Sequence, residues 1–193
     1  MDEIRFFMEE SLVTIEPGAS IREAAQKMRH HSISSVMIAE NENYSGLLTD
    51  TDLTRKVAAK NLDPDNTLAS TISNNPIIAL DASYPMEEAY ECMRKNNIRH
   101  LGVTEKDQMI GILSVKDFAN YFHNKYNQEV DEKGEIQYFM KSSILNIEAG
   151  ETVLNAAKKM AEHKVGALII SEAGKVKGLF SESALTMDMI ASG

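Results

Sequence analysis

Three short phrases constrain this 193-residue chain more than any other feature: GLLTDTD at 46–52, GILSVKD at 111–117 and GLFSESA at 178–184. Their opening glycines stand 65 and 67 residues apart, and other features keep the same offsets. Ile21, Ala24, Ala25 and Met28 become Met86, Ala89, Tyr90 and Met93, and then Val153, Ala156, Ala157 and Met160. That i, i+3, i+4, i+7 spacing is the apolar stripe of an amphipathic helix. Start signals stand just upstream of each helix, as PGAS, DASYP and AGET. Each helix is followed by a brief apolar run rich in β-branched residues (ISSVMIA, IRHLGV, VGALII), as buried strands are. The runs LVTI, IIAL and ILNI supply a strand before each helix. The outer copies match even further upstream, with FFMEESLVTIEPG at 6–18 and YFMKSSILNIEAG at 138–150.

Each unit therefore reads strand, helix, strand, turn, strand, helix. The order predicts an α/β (α+β) chain of repeated β-α-β-β-α units, each with two parallel strands joined by a crossover helix and one hairpin. The boundaries fall at 1–62 for the first unit, 63–128 for the second and 138–193 for the third, with a polar linker at 129–137. A unit of about 60 residues has a marginal core of its own, so the units are expected to pack on one another.

A net charge of −9 and a pI near 5.1 argue against nucleic acid as a partner, which would call for a basic face. The single cysteine, Cys92, excludes an internal disulfide and a cysteine-rich zinc site. The opening MDEIRFFMEE lacks a basic region followed by an apolar run, and no stretch approaches the roughly 20 apolar residues that span a bilayer. A soluble cytoplasmic protein, not a membrane protein, is the expectation.

The Ala-Ala-x-x-Met helix, the IRHLGV strand and the Gly-apolar-apolar-Thr/Ser-x-x-Asp phrase together resemble the cystathionine β-synthase (CBS) domain, a regulatory module of about 60 residues. The first two units match over their full length. The third is degenerate, with Ala184 where the others have Asp52 and Asp117. The resemblance implies that units one and two form a tandem pair through their sheets. It implies two clefts between them that bind adenine nucleotides such as AMP, ADP or ATP, or a related adenosyl ligand.

The phrase has its own chemistry. A helix N-terminus offers unpaired N–H groups to a phosphate. The hydroxyl of Thr49 or Ser114 can donate to a phosphate oxygen, while Asp52 or Asp117 can accept from two ribose hydroxyls. The same pattern is also a capping box, in which both side chains serve the helix's own N–H groups. Repetition within one kind of unit favours the ligand role in units one and two, and Ala184 argues against a ribose site in unit three.

Alternation along a strand sends Arg99 and His100 to opposite faces. The resemblance places basic residues here beside phosphates. The other reading pairs Arg99 with an acidic neighbour and packs His100 against a helix. The family's pairing would build one cleft from Leu47, Thr49, Asp52, Ile78 and Ile98, and the other from Ile112, Ser114, Asp117, Val13, Ile33 and Ser34, with the apolar members around the adenine. Each of those is equally an ordinary core residue. Arg55, Lys56 and Lys116 are weaker phosphate candidates. The spacing of His30, His31, His123 and His163 fits no metal-ligand pattern, and Cys92 has no base nearby in sequence.

Three function classes remain. The first is a sensor whose ligand shifts the arrangement of the units for an unknown effector protein. The second is an association platform in which the phrases are only caps. An enzyme is the weakest, because the three units occupy nearly the whole chain and no nucleophile and base constellation stands out. No cofactor is expected. The pairing face of unit three needs a partner, for which a symmetric homodimer is the simplest solution and a fold back onto the pair its rival.

Overall fold

The computed structural model describes residues 2–126, 140 and 142–193, with the backbone alone at 123–126. The linker expected at 129–137 lies outside the described residues. The repeat is realised as three separate three-stranded sheets, in the orders β1-β2-β3, β4-β5-β6 and β7-β8-β9. In repeat one, β1 (Thr14–Ile15) pairs parallel with β2 (Ser35–Glu40), which pairs antiparallel with β3 (Asn43–Thr49). The strands of repeat two are β4 (Ala79–Asp81), β5 (His100–Glu105) and β6 (Gln108–Ser114), and those of repeat three are β7 (Asn146–Glu148), β8 (Ala167–Glu172) and β9 (Lys175–Ser181). Registers repeat as well: Ile38↔Gly46, Val103↔Gly111 and Ile170↔Gly178 each sit just before a bulge.

The crossover helices are α1 (Ile21–His31), α3 (Met86–Asn96) and α5 (Val153–His163). Ser20 and Glu23 close a capping box on α1, Thr152 caps α5, and residues with positive φ (Ser32, Asn97, Lys164) end all three. The apolar stripe faces inward: Ile21, Ala24, Ala25, Met28, Met86, Ala89, Met93, Ala156, Ala157 and Met160 are buried. Tyr90, at the second Ala-Ala position of repeat two, is exposed instead, and its ring meets Phe118 edge-on with 5.9 Å between centroids.

The second helix differs among repeats. Repeat two has a regular α4 (Val115–Tyr126). Repeat one has one α turn, α2 (Asp50–Asp52), which widens into a π-helix at Leu53–Val57 and tightens into a 3-10 turn at Ala58–Lys60. Repeat three likewise passes from α6 (Glu182–Ala184) into a π-helix at Leu185–Ile190. Both π segments lie where the helix meets the first helix of another repeat.

The chain forms two compact bodies. Body one contains residues 1–12 and 75–140, and body two contains 13–74 and 141–193. Body one is repeat two with the N-terminal segment laid on it: Ile4 enters the core beside Met86, Leu101, Leu113 and Phe118, and Tyr121 donates to Asp2 or Glu87, each 2.9 Å from its hydroxyl. Body two joins repeats one and three in a single core, where Ala157, Leu185, Ile190 and Ala191 pack among Ile21, Ala25, Met28 and Leu53. The packing is reciprocal, since α1 lies against Leu185–Ile190 while α5 lies against Leu53–Lys60. Arg29 of α1 donates to Ser192 Oγ at 2.7 Å, and Gln26 to the Ala191 carbonyl at 3.3 Å. Repeat three thus finds its helix-side partner within the chain, in repeat one.

Candidate functional site

The three phrases form one kind of corner, in which the third strand turns into a helix at the Thr or Ser. The next residue's N–H ties the corner to the residue before the second strand: Asp50 to the Ser34 carbonyl at 3.0 Å, Val115 to Arg99 at 3.1 Å and Glu182 to Gly166 at 2.9 Å. The backbone is common to all three, so the differences lie in the side chains.

In repeat one the carboxylate is fully engaged. Asp52 Oδ2 accepts from the Thr49 N–H at 3.0 Å, the Thr49 hydroxyl at 2.6 Å and the Asn74 amide at 2.8 Å. The Lys56 ammonium lies 2.8 Å from Oδ1 and also donates to the Ile72 carbonyl and to Asn74 Oδ1. Asp52 is 6% exposed. Lys56, a phosphate candidate by sequence, is therefore an internal counter-ion of this corner. Arg55 is placed similarly, with its Nε 3.7 Å from Glu182 Oε1 inside body two.

In repeat two, Asp117 Oδ2 accepts from the Ser114 N–H at 2.7 Å and from the Ser114 hydroxyl at 2.8 Å. Oδ1 accepts no hydrogen bond from the described residues. Asp117 is only half-buried, at the first turn of a helix that runs for 12 residues. Arg99 is exposed and its carbonyl caps Val115, so its backbone stands at the same helix mouth. His100 lies opposite Ser114 in the sheet register and is 8% exposed. In repeat three, Ser181 keeps its capping role, accepting from the Ala184 N–H at 3.2 Å, and Ala184 brings no carboxylate.

The other candidates divide between the bodies. Leu47, Thr49, Asp52, Val13, Ile33 and Ser34 belong to body two, while Ile78, Ile98, Arg99, His100, Ile112, Ser114 and Asp117 belong to body one. Val13 and Ile33 pack against the body-two core, and Ile98 against that of body one. Leu47 is 6% exposed and Ile78 is 38% exposed. Body one thus brings Ser114, Asp117 and the backbone of Arg99 together at one helix N-terminus, with His100 paired to Ser114 in the adjoining sheet. Asn74 was not legible as a site residue. The only trace of it in the sequence is its place 65 residues after Glu9, which bridges the third strand of repeat two as Asn74 bridges that of repeat one.

Lys116 is exposed. His30 and His31 are exposed and meet edge-on, and no cluster of three or more His, Cys, Asp or Glu able to hold a metal occurs among the described residues. No helix among the described residues is long and apolar enough to cross a membrane.

Comparison with known proteins gives the same unit three times. The family model of the CBS domain matches residues 2–59, 69–124 and 134–189. The CBS domain-containing protein YhcV of Bacillus subtilis is 25% identical over 119 residues, which is 62% of this chain and 84% of that protein. The crystal structure of protein MJ1225 from Methanocaldococcus jannaschii superposes with a TM-score of 0.80 at 17% identity, covering 95% of this chain and 71% of that one. The CBS domain protein PAE2072 from Pyrobaculum aerophilum, solved in complex with AMP, gives a TM-score of 0.55 at 26% identity over 60% of this chain and 88% of its own. The chain spans between 39% and 85% of the length of curated relatives that it matches.

Proposed function

The chain belongs to the CBS-domain family, and from that premise we propose that it is a regulatory module which senses an adenine nucleotide, or a related adenosyl ligand, at the Ser114–Asp117 corner of repeat two. The observation that carries this reading is the open Oδ1 of Asp117, at a helix mouth shared with Arg99. An ionised carboxylate oxygen with free lone pairs accepts from ribose hydroxyls without breaking the cap on Oδ2. The N-terminus of α4 and the Arg99 guanidinium favour the negative phosphate, and Ile98 and Ile112 offer apolar surface to the base. The AMP found in the PAE2072 complex supports the ligand class. Binding alters an effector only through different affinities for two arrangements of the protein, so the signal is a shift between such arrangements.

The platform reading applies to the other two corners. A ribose at Asp52 would have to compete with Lys56 and Asn74 for a carboxylate that is 6% exposed, and at Ala184 it would find no carboxylate. The proposal is therefore one nucleotide per chain. Isothermal titration calorimetry with AMP, ADP, ATP and S-adenosylmethionine tests it on the parent, Asp117→Asn and Asp52→Asn. The expected result is a stoichiometry near one, at least tenfold weaker binding in Asp117→Asn and little change in Asp52→Asn. If none of the four binds, the association platform is the better account.

A further inference from the structure

Repeat three has no carboxylate at its corner, but it carries charge elsewhere that its siblings lack. A cavity of about 360 Å³ opens between β7 and α5, lined by Asn146, Ile147, Glu148, Glu151, Asn155 and Lys159. Asn155 and Lys159 stand four residues apart on one face of α5, and Glu151 stands just before the Thr152 cap of that helix. Two contacts fix the ends of the cavity. At one end the Lys159 ammonium donates to the Asn146 carbonyl at 2.6 Å. At the other the Glu151 N–H donates to the Glu148 carbonyl at 3.0 Å, which holds the two acidic residues in one turn. Asn146 and Glu148 are two residues apart on β7, so the ends are separated by about 7 Å.

The charges at the two ends are opposite and do not neutralise each other. Glu148 Oε1 accepts from the Ser171 hydroxyl at 2.9 Å and Glu151 Oε2 from the Asn155 amide at 2.7 Å, while the other oxygen of each carboxylate accepts no hydrogen bond from the described residues. Lys159 forms no ion pair among the described residues, although it lines the same cavity. Neither sibling repeats this arrangement. In repeat one Ala19 takes the place of Glu151, and Glu23, in the place of Asn155, spends its carboxylate on the Ser20 N–H at 2.6 Å. In repeat two Cys92 stands where repeat three has Lys159.

We propose that this cavity binds a small zwitterion whose amine and carboxylate lie several bonds apart, an ω-amino acid or a dipeptide, with its ammonium between Glu148 and Glu151 and its carboxylate on Lys159. An ammonium has three donors and so serves both glutamates, and Lys159 keeps two donors for a ligand carboxylate beyond the one spent on Asn146. A ligand with only a positive charge would meet Lys159, and one with only a negative charge would meet the two glutamates, so a dipolar ligand alone is matched at both ends. Such a ligand ties β7 to α5. Ala157 of α5 lies in the core shared with repeat one, so binding stabilises body two. The cavity belongs wholly to body two and uses no residue of the Ser114–Asp117 corner, so the proposal stands or falls independently of nucleotide binding.

The test is a heteronuclear NMR titration of the full chain with ε-aminocaproate, whose five methylenes span the distance between the two ends, and with caproate and hexylamine as singly charged controls. The expected result is saturable shifts of amides within 146–159 for the zwitterion, with at least tenfold weaker binding of either control. Lys159→Met should weaken ε-aminocaproate at least tenfold, to the level of hexylamine on the same variant. Glu148→Gln changes an exposed side chain, so it should leave the spectrum outside the cavity unchanged while also weakening the zwitterion. Absence of saturable shifts within 146–159, a control that binds as tightly as the zwitterion, or unchanged affinity in both variants overturns the proposal.

Discussion

Lys56 holds Asp52 at 2.8 Å across one turn of helix, and in doing so fills the position that the equivalent aspartate of repeat two leaves open. Asp52 receives three further hydrogen bonds, from Thr49 and Asn74, so its role is to fasten the 72–74 stretch to the start of a helix. Asp52→Ala removes the cap and leaves the Asn74 amide and Lys56 ammonium without that acceptor. The expected loss is about 1–3 kcal/mol by urea denaturation. Lys56→Met, whose side chain is 37% exposed, should lose no more than about 1 kcal/mol. A larger loss for Lys56→Met than for Asp52→Ala would refute this division of labour.

The shared core of body two gives a second expectation. Leu185 belongs to repeat three but is fully buried among side chains of repeat one. Leu185→Ala opens a cavity there, and truncations of this kind typically remove about 2–5 kcal/mol. Hydrogen exchange read by mass spectrometry should show lost protection in 13–74 as well as in 141–193, with 75–126 changed least. Deprotection confined to 141–193 would mean that the repeats do not share one core.

The elements themselves were legible because their signals are local. A stripe such as Ile21, Ala24, Ala25, Met28 and a Ser20/Glu23 capping box act within a few residues, so the sequence displays them directly. Partner choice is not local. Ala157 and Ile190 are apolar in the way that any core residue is, and nothing near them in the chain says that their neighbours are Ala25 and Leu53. The same limit applies to charge: Arg55 meets Glu182 across 127 positions of sequence numbering, and Lys56 meets Asn74 across a loop, so two cations read as phosphate candidates prove to have partners within the fold. The Ser114–Asp117 corner was found because hydroxyl and carboxylate sit three residues apart, whereas the difference between an open and a filled corner depends on Asn74, 22 positions from Asp52.

Acid should loosen both bodies. The Arg22 guanidinium, hydrogen-bonded to Asp65, holds that carboxyl below its ordinary value of 3.8, and the Ser20 N–H does the same for Glu23 against 4.5. In body one the Ser83 hydroxyl lowers Asp81. A carboxyl whose folded value is depressed contributes stability that is present above its unfolded value and lost as pH falls through the folded one. The urea midpoint should therefore fall between about pH 5 and about pH 3. In Asp65→Asn the midpoint should be lower at neutral pH and should depend less on pH over that window. An Asp65→Asn curve parallel to the parent's would show that this pair has no part in acid sensitivity.

The degenerate corner of repeat three offers a constructive check on what the aspartate does for the fold alone. Ser181 already accepts the Ala184 N–H at 3.2 Å, so half of a capping box is in place. Ala184 is half-buried at the first turn of a helix, where a carboxylate gains from the N-terminal dipole and can accept the Ser181 N–H, as Asp117 accepts that of Ser114. Ala184→Asp should raise stability by roughly 0.5–1 kcal/mol, or about 2–4 °C in melting temperature. Nucleotide stoichiometry should stay near one, because repeat three has Gly166 where repeat two has Arg99 at the helix mouth. A second bound nucleotide in Ala184→Asp would show that the carboxylate alone makes a site and that the neighbouring cation is dispensable.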